Sequence, residues 1–196
     1  MSDVAAIRAK RREAEHSANR TAILEAARRV AARDGAAHLS LRGVATEAGY
    51  APAALYGYFR NKSELLLALA ADDLSSLTRR MREASQSGGK GLTAAATAAL
   101  ELLKNSETLA AMPGAFADDT RPDEAERHFN GRMIAALMAL SEAVGGGSKS
   151  RDTQADTVLI AAALSGLALL SRSGRLEALG FTSEELLARL EQKFSQ

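Results

Sequence analysis

Residues that stop or start helices follow one another closely early in the chain: Gly35, Ser40, Gly49, Pro52 and Asn61. Ser40 is suited to cap a helix that has room only until Ala48, because Gly49 then ends it. Pro52 favours the first turn of the next helix, which must end by about Arg60 because another cap follows. The spacing therefore predicts two short helices joined by a tight turn.

Helices are predicted for the rest of the chain as well. Ala and Leu account for 42 and 27 residues, whereas Val and Ile together number 9, a balance that favours helix over sheet. Apolar periodicity and capping residues place the helices at residues 19–34, 41–48, 52–60, 62–82, 93–111, 123–144, 152–171 and 183–194. The expected fold class is all-α.

Several function classes lack their characteristic residues. The chain has no Cys, which excludes disulfides, thiolate metal sites and Cys nucleophiles. It also has no Gly-rich phosphate loop and no paired-carboxylate pattern, and His128 beside Glu124 reads as a solvated pair. We therefore expect no enzyme activity, no metal and no cofactor. The charged start is unlike a signal peptide, and the longest apolar run, residues 158–170, is too short to span a membrane, so we expect a cytoplasmic protein.

Charge and aromatic residues both single out the first third of the chain. Residues 1–70 hold 11 basic and 7 acidic side chains, whereas residues 71–196 hold 14 and 17. All three tyrosines lie within the same short segment: Tyr50, Tyr56 and Tyr58. Two short helices with a tight turn form a helix-turn-helix, whose second helix fits the major groove of DNA. The outer face of that helix would carry Pro52, Ala53, Tyr56 and Gly57, and Tyr56, Tyr58 and Lys62 could contact phosphates.

The stretch from Ile23 to Leu69 resembles the DNA-binding domain of the TetR family of bacterial transcriptional repressors. The matching residues are Ile23-Leu24, Ala26-Ala27, Gly35, Ser40, Val44-Ala45, Ala48-Gly49, Leu55-Tyr56, Tyr58-Phe59, Lys62 and Leu65. The resemblance implies that Ser40 caps its helix and touches a phosphate, and that Arg42 contacts a phosphate or a base edge. It further implies that Ala51, Pro52, Ala53, Ala54, Tyr56 and Tyr58 line the DNA face, while Lys62 anchors the backbone.

The sequence departs from the family pattern at the second helix of the motif. Ala51 provides no side-chain cap, and Gly57 weakens the helix interior. Since small side chains offer only van der Waals contact, we expect discrimination to rest on Arg42, Tyr56 and DNA shape. Residues 1–18 form a basic arm, mobile or partly helical, which either reaches a minor groove or acts only through its charge.

The resemblance implies a domain at residues 19–66 that binds a palindromic operator as part of a homodimer, and a regulatory and dimerisation domain at residues 67–196. The long apolar helix and the last helix supply the expected dimer interface: Leu159, Ala161, Ser165, Ala168, Leu186, Leu187 and Leu190. An apolar cavity for a small-molecule inducer could be lined by Met112, Phe116, Phe129, Met133 and Met138. The alternatives are that the apolar helix is the centre of a monomer and that these Met and Phe side chains are ordinary core.

One alternative function remains open from the residues. The cluster of Tyr50, Tyr56 and Tyr58 could instead be a hot spot for protein binding on a helical scaffold. The salt dependence of binding distinguishes the two interpretations. Affinity for duplex DNA falls steeply as ionic strength rises, whereas affinity for a protein partner would change little.

Overall fold

The structure is a computed structural model that describes residues 2–86, 91–111, 123–145 and 150–194. Its chain divides into two compact units, residues 1–69 and 70–196. All regular structure in the described ranges is helical, without strands, which confirms the all-α prediction.

The first unit contains three helices and the start of a fourth: α1 (Ser2–Asp34), α2 (Leu41–Ala48), α3 (Pro52–Leu55) and α4 (Lys62–Gln86), with a 3-10 turn at Ala36–His38. Its core is a single apolar cluster that includes Ile23, Val30, Val44, Leu55 and Phe59, each at most 3% exposed. Because α1 and α2 both contribute to this cluster, the exposed surface of α3 is held on a fixed base.

The N-terminal arm is helical in the structure, since α1 begins at Ser2 and continues without a break to Asp34. The sequence instead suggests an arm that is mobile or only partly helical. No Gly or Pro interrupts this range, which is rich in Ala, Arg, Glu and Lys. Arg11 also pairs with Glu15 one turn later, at 2.9 Å between Nε and Oε1. The basic arm is therefore a helical extension of the first unit.

The second unit contains the rest of α4 and six further helices in the described ranges: α5 (Gly91–Asn105), α6 (Glu107–Ala111), α7 (Glu124–Gly145), α8 (Arg151–Arg172), α9 (Arg175–Ala178) and α10 (Ser183–Phe194). Helix α5 packs against α7, α8 and α10. The predicted capping box at the last helix is present, since Thr182 and Glu185 each accept a hydrogen bond from the other's backbone N–H.

The single helix predicted over residues 93–111 is wrong, because the chain breaks at Ser106 between α5 and α6. The Ser106 hydroxyl accepts a hydrogen bond from the backbone N–H of Leu109 at 3.0 Å and donates to the Asp73 carboxylate at 2.7 Å. Ser106 is thus the N-cap of a new helix. The local apolar pattern could not predict this break, because Asp73, which holds the Ser106 hydroxyl, is distant in sequence.

Candidate nucleic-acid interface

Helix α2 has the bounds that the sequence predicts, and its two ends are fixed by local chemistry. The Ser40 hydroxyl oxygen accepts a hydrogen bond from the backbone N–H of Gly43 at 3.1 Å, which confirms Ser40 as the N-cap. At the other end Gly49 adopts φ +73°, and the following Tyr50 N–H reaches back to the Ala45 carbonyl at 2.9 Å. A Cβ at Gly49 would meet no atom within 4 Å, so its backbone conformation alone favours glycine.

Helix α3 is shorter than predicted, because it ends at Leu55 rather than near Arg60. We call residues 51–59, which comprise α3 and the turn after it, the recognition segment. No side chain caps its start at Ala51, and the chain continues as a turn in which the Gly57 N–H bonds to the Ala54 carbonyl at 3.1 Å. Both departures noted in the sequence, the missing cap and Gly57, act in this direction. The recognition segment is one helical turn followed by a tight turn up to Phe59.

The two sides of the recognition segment are clearly separated by burial. Leu55 and Phe59 are at most 1% exposed and anchor the segment in the core. The opposite side is exposed and consists of Ala51, Pro52, Ala53, Ala54, Tyr56 and Gly57. Tyr56 projects furthest among the large side chains, with 61% of its surface exposed. This exposed side is the surface that the sequence predicts for DNA, and the contact itself stays a prediction.

Tyr58 lies against α1 rather than on the open face. Its ring stacks on His16 with centroids 4.5 Å apart, and its hydroxyl oxygen accepts a hydrogen bond from the Asn19 amide at 3.2 Å. The hydroxyl hydrogen is not used in that bond, so Tyr58 keeps a donor for an external acceptor. Sequence reasoning missed His16 and Asn19, although their i, i+3 spacing places them on one side of α1.

Arg42 and Lys62 lie on the helices that precede and follow the recognition segment, α2 and α4. The Lys62 Nζ donates to the Ala37 carbonyl at 2.6 Å, which ties the start of α4 to the 3-10 turn. Two of its three donors remain for a phosphate. Arg42 lies in the first turn of α2 and is exposed, and no acceptor within the described residues holds its guanidinium. Both side chains can therefore reach an external anion.

An ion-pair cluster fixes α2 to α1 on the side away from the core. Glu47 accepts hydrogen bonds from Arg29 at 2.8 Å and from Arg33 at 3.2 Å. The hydrogen bond from Arg29, and to a smaller extent the one from Arg33, lowers the pKa of the Glu47 carboxyl below its ordinary value. Arg33 in turn has a raised pKa because Asp34, and then Glu47, accept its hydrogen bonds. The cluster uses basic side chains internally, so they contribute less to an anion-binding surface than their number suggests.

The three tyrosines do not form a shared protein-binding surface. Tyr50 is half-buried and packs against the core, Tyr58 is half-buried against α1, and Tyr56 is exposed. A protein hot spot needs several aromatic side chains that a partner can cover together. The burial of two of the three argues against the scaffold interpretation.

The second unit holds an apolar cavity of about 560 Å³. Of the five predicted lining residues, Phe129 and Met133 line it, whereas Met138 is 56% exposed and does not. Five positions after Met133, Met138 falls on a different side of α7. Met112 and Phe116 lie outside the described residues. Sequence reasoning missed the contributions of α4 and α8, including Leu74, Leu164 and the cation of Arg172.

The predicted dimer interface needs a correction at three of its seven residues. Ala168, Leu187 and Leu190 are at most 9% exposed in the single chain, so they belong to its own core. Ala161 and Ser165 line the cavity, whereas Leu159 is 58% exposed and Leu186 is half-buried. Among the small residues of α8, Ala168 therefore faces the core, whereas Ser165 is exposed and Ala161 is half-buried, and their place in a dimer interface stays a prediction.

His128 and Glu124, a pair with metal-ligand spacing in the sequence, are both exposed. Across the described ranges, no group of three or more His, Asp or Glu side chains is arranged to hold a metal ion.

Residues 23–69 match the family model described as bacterial regulatory proteins, tetR family. This range begins at the first buried residue of α1 and ends in α4, and it contains the whole helix-turn-helix. The resemblance stated from the sequence is thereby confirmed. No curated protein matches the chain significantly in sequence.

Solved structures share the fold over most of the chain. A TetR-family transcription regulator from Marinobacter aquaeolei VT8 is 20% identical, with a TM-score of 0.62 over 94% of this chain and 97% of that one. A transcriptional regulator from Rhodococcus sp. Rha1 is 20% identical, with a TM-score of 0.69 over 89% and 95%. FadR from Bacillus subtilis, solved in complex with stearoyl-CoA, is 18% identical, with a TM-score of 0.63 over 88% and 95%. Family and neighbours are regulators, a class that is generally not enzymatic.

Proposed function

We propose that the chain is a DNA-binding transcriptional regulator of the tetR family, and that it is a ligand-responsive repressor that binds a palindromic operator as a homodimer. The observation that carries the proposal is the division of the recognition segment into two sides. Leu55 and Phe59 are buried in the core, whereas Pro52, Ala53 and Tyr56 are exposed on the opposite side. A fixed apolar anchor with an exposed opposite side is what insertion into a major groove requires.

The chemistry of the recognition segment determines how it would read a sequence. Pro52, Ala53 and Ala54 can contact thymine methyl groups but cannot form hydrogen bonds with base edges through their side chains. The exposed side chains of Arg42 and Tyr56 can form such hydrogen bonds. An operator selected from random duplexes by the full chain should lose base discrimination in Arg42→Ala and Tyr56→Phe. Unchanged preferences in both variants would contradict this assignment, whereas failure to select any sequence would contradict operator binding itself.

An exposed apolar face of α8 supports dimerisation. Val158, Leu159 and Leu169 are between 58% and 64% exposed, and regulators of this family dimerise. The whole of α8, unlike the run at residues 158–170 alone, is long and apolar enough to cross a membrane by length and composition. An exposed apolar face of this kind is typical of a surface that a partner covers. We assign that cover to a second copy, because a monomer offers one recognition segment and a palindrome offers two half-sites.

The dimer is tested by sedimentation of Leu159→Glu beside Leu159→Met. A buried unpaired carboxylate is costly, so the Glu variant should sediment as a monomer and bind the palindrome more weakly. The Met variant conserves volume and should stay dimeric. A wild-type chain that is monomeric at micromolar concentration, or a dimeric Leu159→Glu, contradicts this part of the proposal.

The cavity supports a small apolar ligand as the inducer. Its volume lies in the usual range for ligand sites, and its lining is aliphatic and aromatic except for Ser165 and Arg172. FadR from Bacillus subtilis binds stearoyl-CoA in a similar fold. We therefore propose a ligand with a long apolar chain, which must bind the DNA-incompetent state more tightly in order to release the operator.

Stearoyl-CoA and free stearate are suitable probes for release of the selected operator. Ala161→Phe, which places a large ring at the cavity wall, should bind the operator normally but respond less to either compound. Leu179→Phe is a control, because Leu179 is 65% exposed and does not line the cavity. If neither compound weakens operator binding by the wild type, the assignment of this ligand class is wrong.

A further inference from the structure

The N-terminal part of α1 extends beyond the core of the first unit. Every side chain from Val4 to Ala18 is exposed, and the first deeply buried residue is Ile23. At about 1.5 Å per residue, the exposed part of the helix is about 22 Å long. A helix of this length, whose packing is the stacking of His16 on Tyr58 near its end, is marginally stable in water. A partner that covers one side of it would therefore stabilise it.

Arg8 and Arg12 share one side of this extension with Asn19. Residues at i, i+4, i+7 and i+11 of a helix lie in one stripe, which here contains Arg8, Arg12, Glu15 and Asn19. The Glu15 carboxylate is paired with Arg11, at 2.9 Å from its Nε, so its charge is offset within the helix. Asn19 contacts Tyr58 at the end of the recognition segment, so this stripe runs along the side of α1 that borders that segment. In the described part of the chain, neither guanidinium pairs with an acidic side chain, although the Arg12 Nε approaches the Arg8 carbonyl at 3.4 Å.

Because the extension is helical, it cannot enter the minor groove, which is one of the two roles suggested by the sequence. A minor groove about 6 Å wide cannot admit a helix about 10 Å in diameter. Phosphates are the part of duplex DNA that a straight basic helix can reach from outside the groove. Charge complementarity therefore favours the DNA backbone as the occupant of this stripe.

We propose that the stripe of Arg8 and Arg12 binds phosphates of duplex DNA that flank the half-site read by α3. The inference rests on the proposed function, and it adds a contact outside the helix-turn-helix. A helix of about 22 Å spans at most about six base pairs of flank at 3.4 Å each. The contact carries no base specificity, because phosphates are the same at every position.

The proposal is tested with the full chain and two duplexes that contain the same selected operator. One duplex ends at the palindrome, and the other continues for ten base pairs on each side with arbitrary sequence. The wild type should bind the longer duplex more tightly at low salt. With two contacts from each chain of a dimer, this advantage should fall roughly 100-fold between 50 and 200 mM salt.

Three variants separate the helical stripe from a charged tail. Arg12→Ala should lose part of the flank advantage, whereas Lys10→Ala removes the same charge from the opposite side of the helix and should keep it. Ala9→Pro keeps every charge but breaks the helix, and it should lose the advantage. On the short duplex all three should bind like the wild type. Circular dichroism verifies the helix content of the alanine variants.

Distinct outcomes overturn the proposal. Equal losses in Lys10→Ala and Arg12→Ala, or an Ala9→Pro variant that keeps the advantage, would show a charged tail without a helical stripe. A wild type that binds both duplexes equally would show no flank contact, and self-association through the extension would show a protein partner instead. Each of these leaves operator binding intact, whereas a wild type that binds no duplex contradicts the proposed function.

Discussion

Replacement of Ser40 separates its role in helix α2 from its predicted role at the DNA. Ser40 has an extended backbone, φ −138° and ψ 148°, so alanine fits without strain and removes only the oxygen that accepts from Gly43. Loss of such a cap costs about 1 kcal/mol, within a range of about 0.5–2 kcal/mol. The site is exposed, so the freed N–H can bind water, which keeps the cost in this range. Ser40→Ala should therefore lower the free energy of unfolding by about 1 kcal/mol.

Ser40→Asp and Ser40→Asn keep an acceptor at the same position and should remain as stable as the wild type. The aspartate is also favoured by the positive end of the α2 dipole, but it places a negative charge where a phosphate is expected. Its affinity for the selected operator should fall at least about tenfold at low salt and recover partly as salt screens the repulsion. Urea unfolding and operator titration measure the two effects separately. A Ser40→Asp variant that binds like Ser40→Asn would refute the phosphate contact, and one as unstable as Ser40→Ala would refute the cap.

Three further predictions test the packing inside each unit. Glu47→Gln should be less stable than the wild type near neutral pH. Because the pKa of Glu47 is lowered, this difference in stability should disappear as pH falls through that pKa. Urea unfolding from pH 7 to pH 3 measures the difference. Leu164→Ala should lower the free energy of unfolding by about 2–5 kcal/mol, whereas Leu179→Ala, at a 65% exposed position, should change it by less than about 0.5 kcal/mol. Similar values for the two variants would contradict the burial of Leu164. Tyr58→Phe should lose about 1 kcal/mol with the Asn19 hydrogen bond, and unchanged stability would show that this bond contributes nothing.

Sequence reasoning located α2 correctly because both of its ends are determined locally. A serine that accepts from its own first turn and a glycine at positive φ need no tertiary partner to act. Helix α3 was predicted too long for a related reason. Its weak cap at Ala51 and its interior Gly57 were recognised, but their effect on length depends on how Leu55 and Phe59 pack. Capping residues predict where a helix begins better than where a weak one ends.

The second unit was less predictable, since α8 is apolar on nearly all sides. When periodicity does not distinguish a buried side, a sequence cannot say which residues face the core. Packing against α5 and α7 selects Ile160, Leu164 and Ala168 as the buried stripe and leaves Leu159 and Leu169 outside. The cavity likewise depends on Arg172, whose guanidinium donates to the Lys104 carbonyl and to Glu107 at 2.8 Å each. Such long-range hydrogen bonds leave no mark in local composition.

The small side chains of the recognition segment limit how much one copy can discriminate between sequences. A good bidentate contact to a base contributes about 1–3 kcal/mol, and Arg42 is the exposed side chain near α3 that can supply one. Contacts from Lys62 and from the α1 extension would strengthen binding to all duplexes alike. In the proposed homodimer, discrimination would therefore come from two half-sites read together and from the shape of the DNA between them. A ligand that prevents simultaneous reading would then remove most of the specificity, even if every phosphate contact of one copy survived.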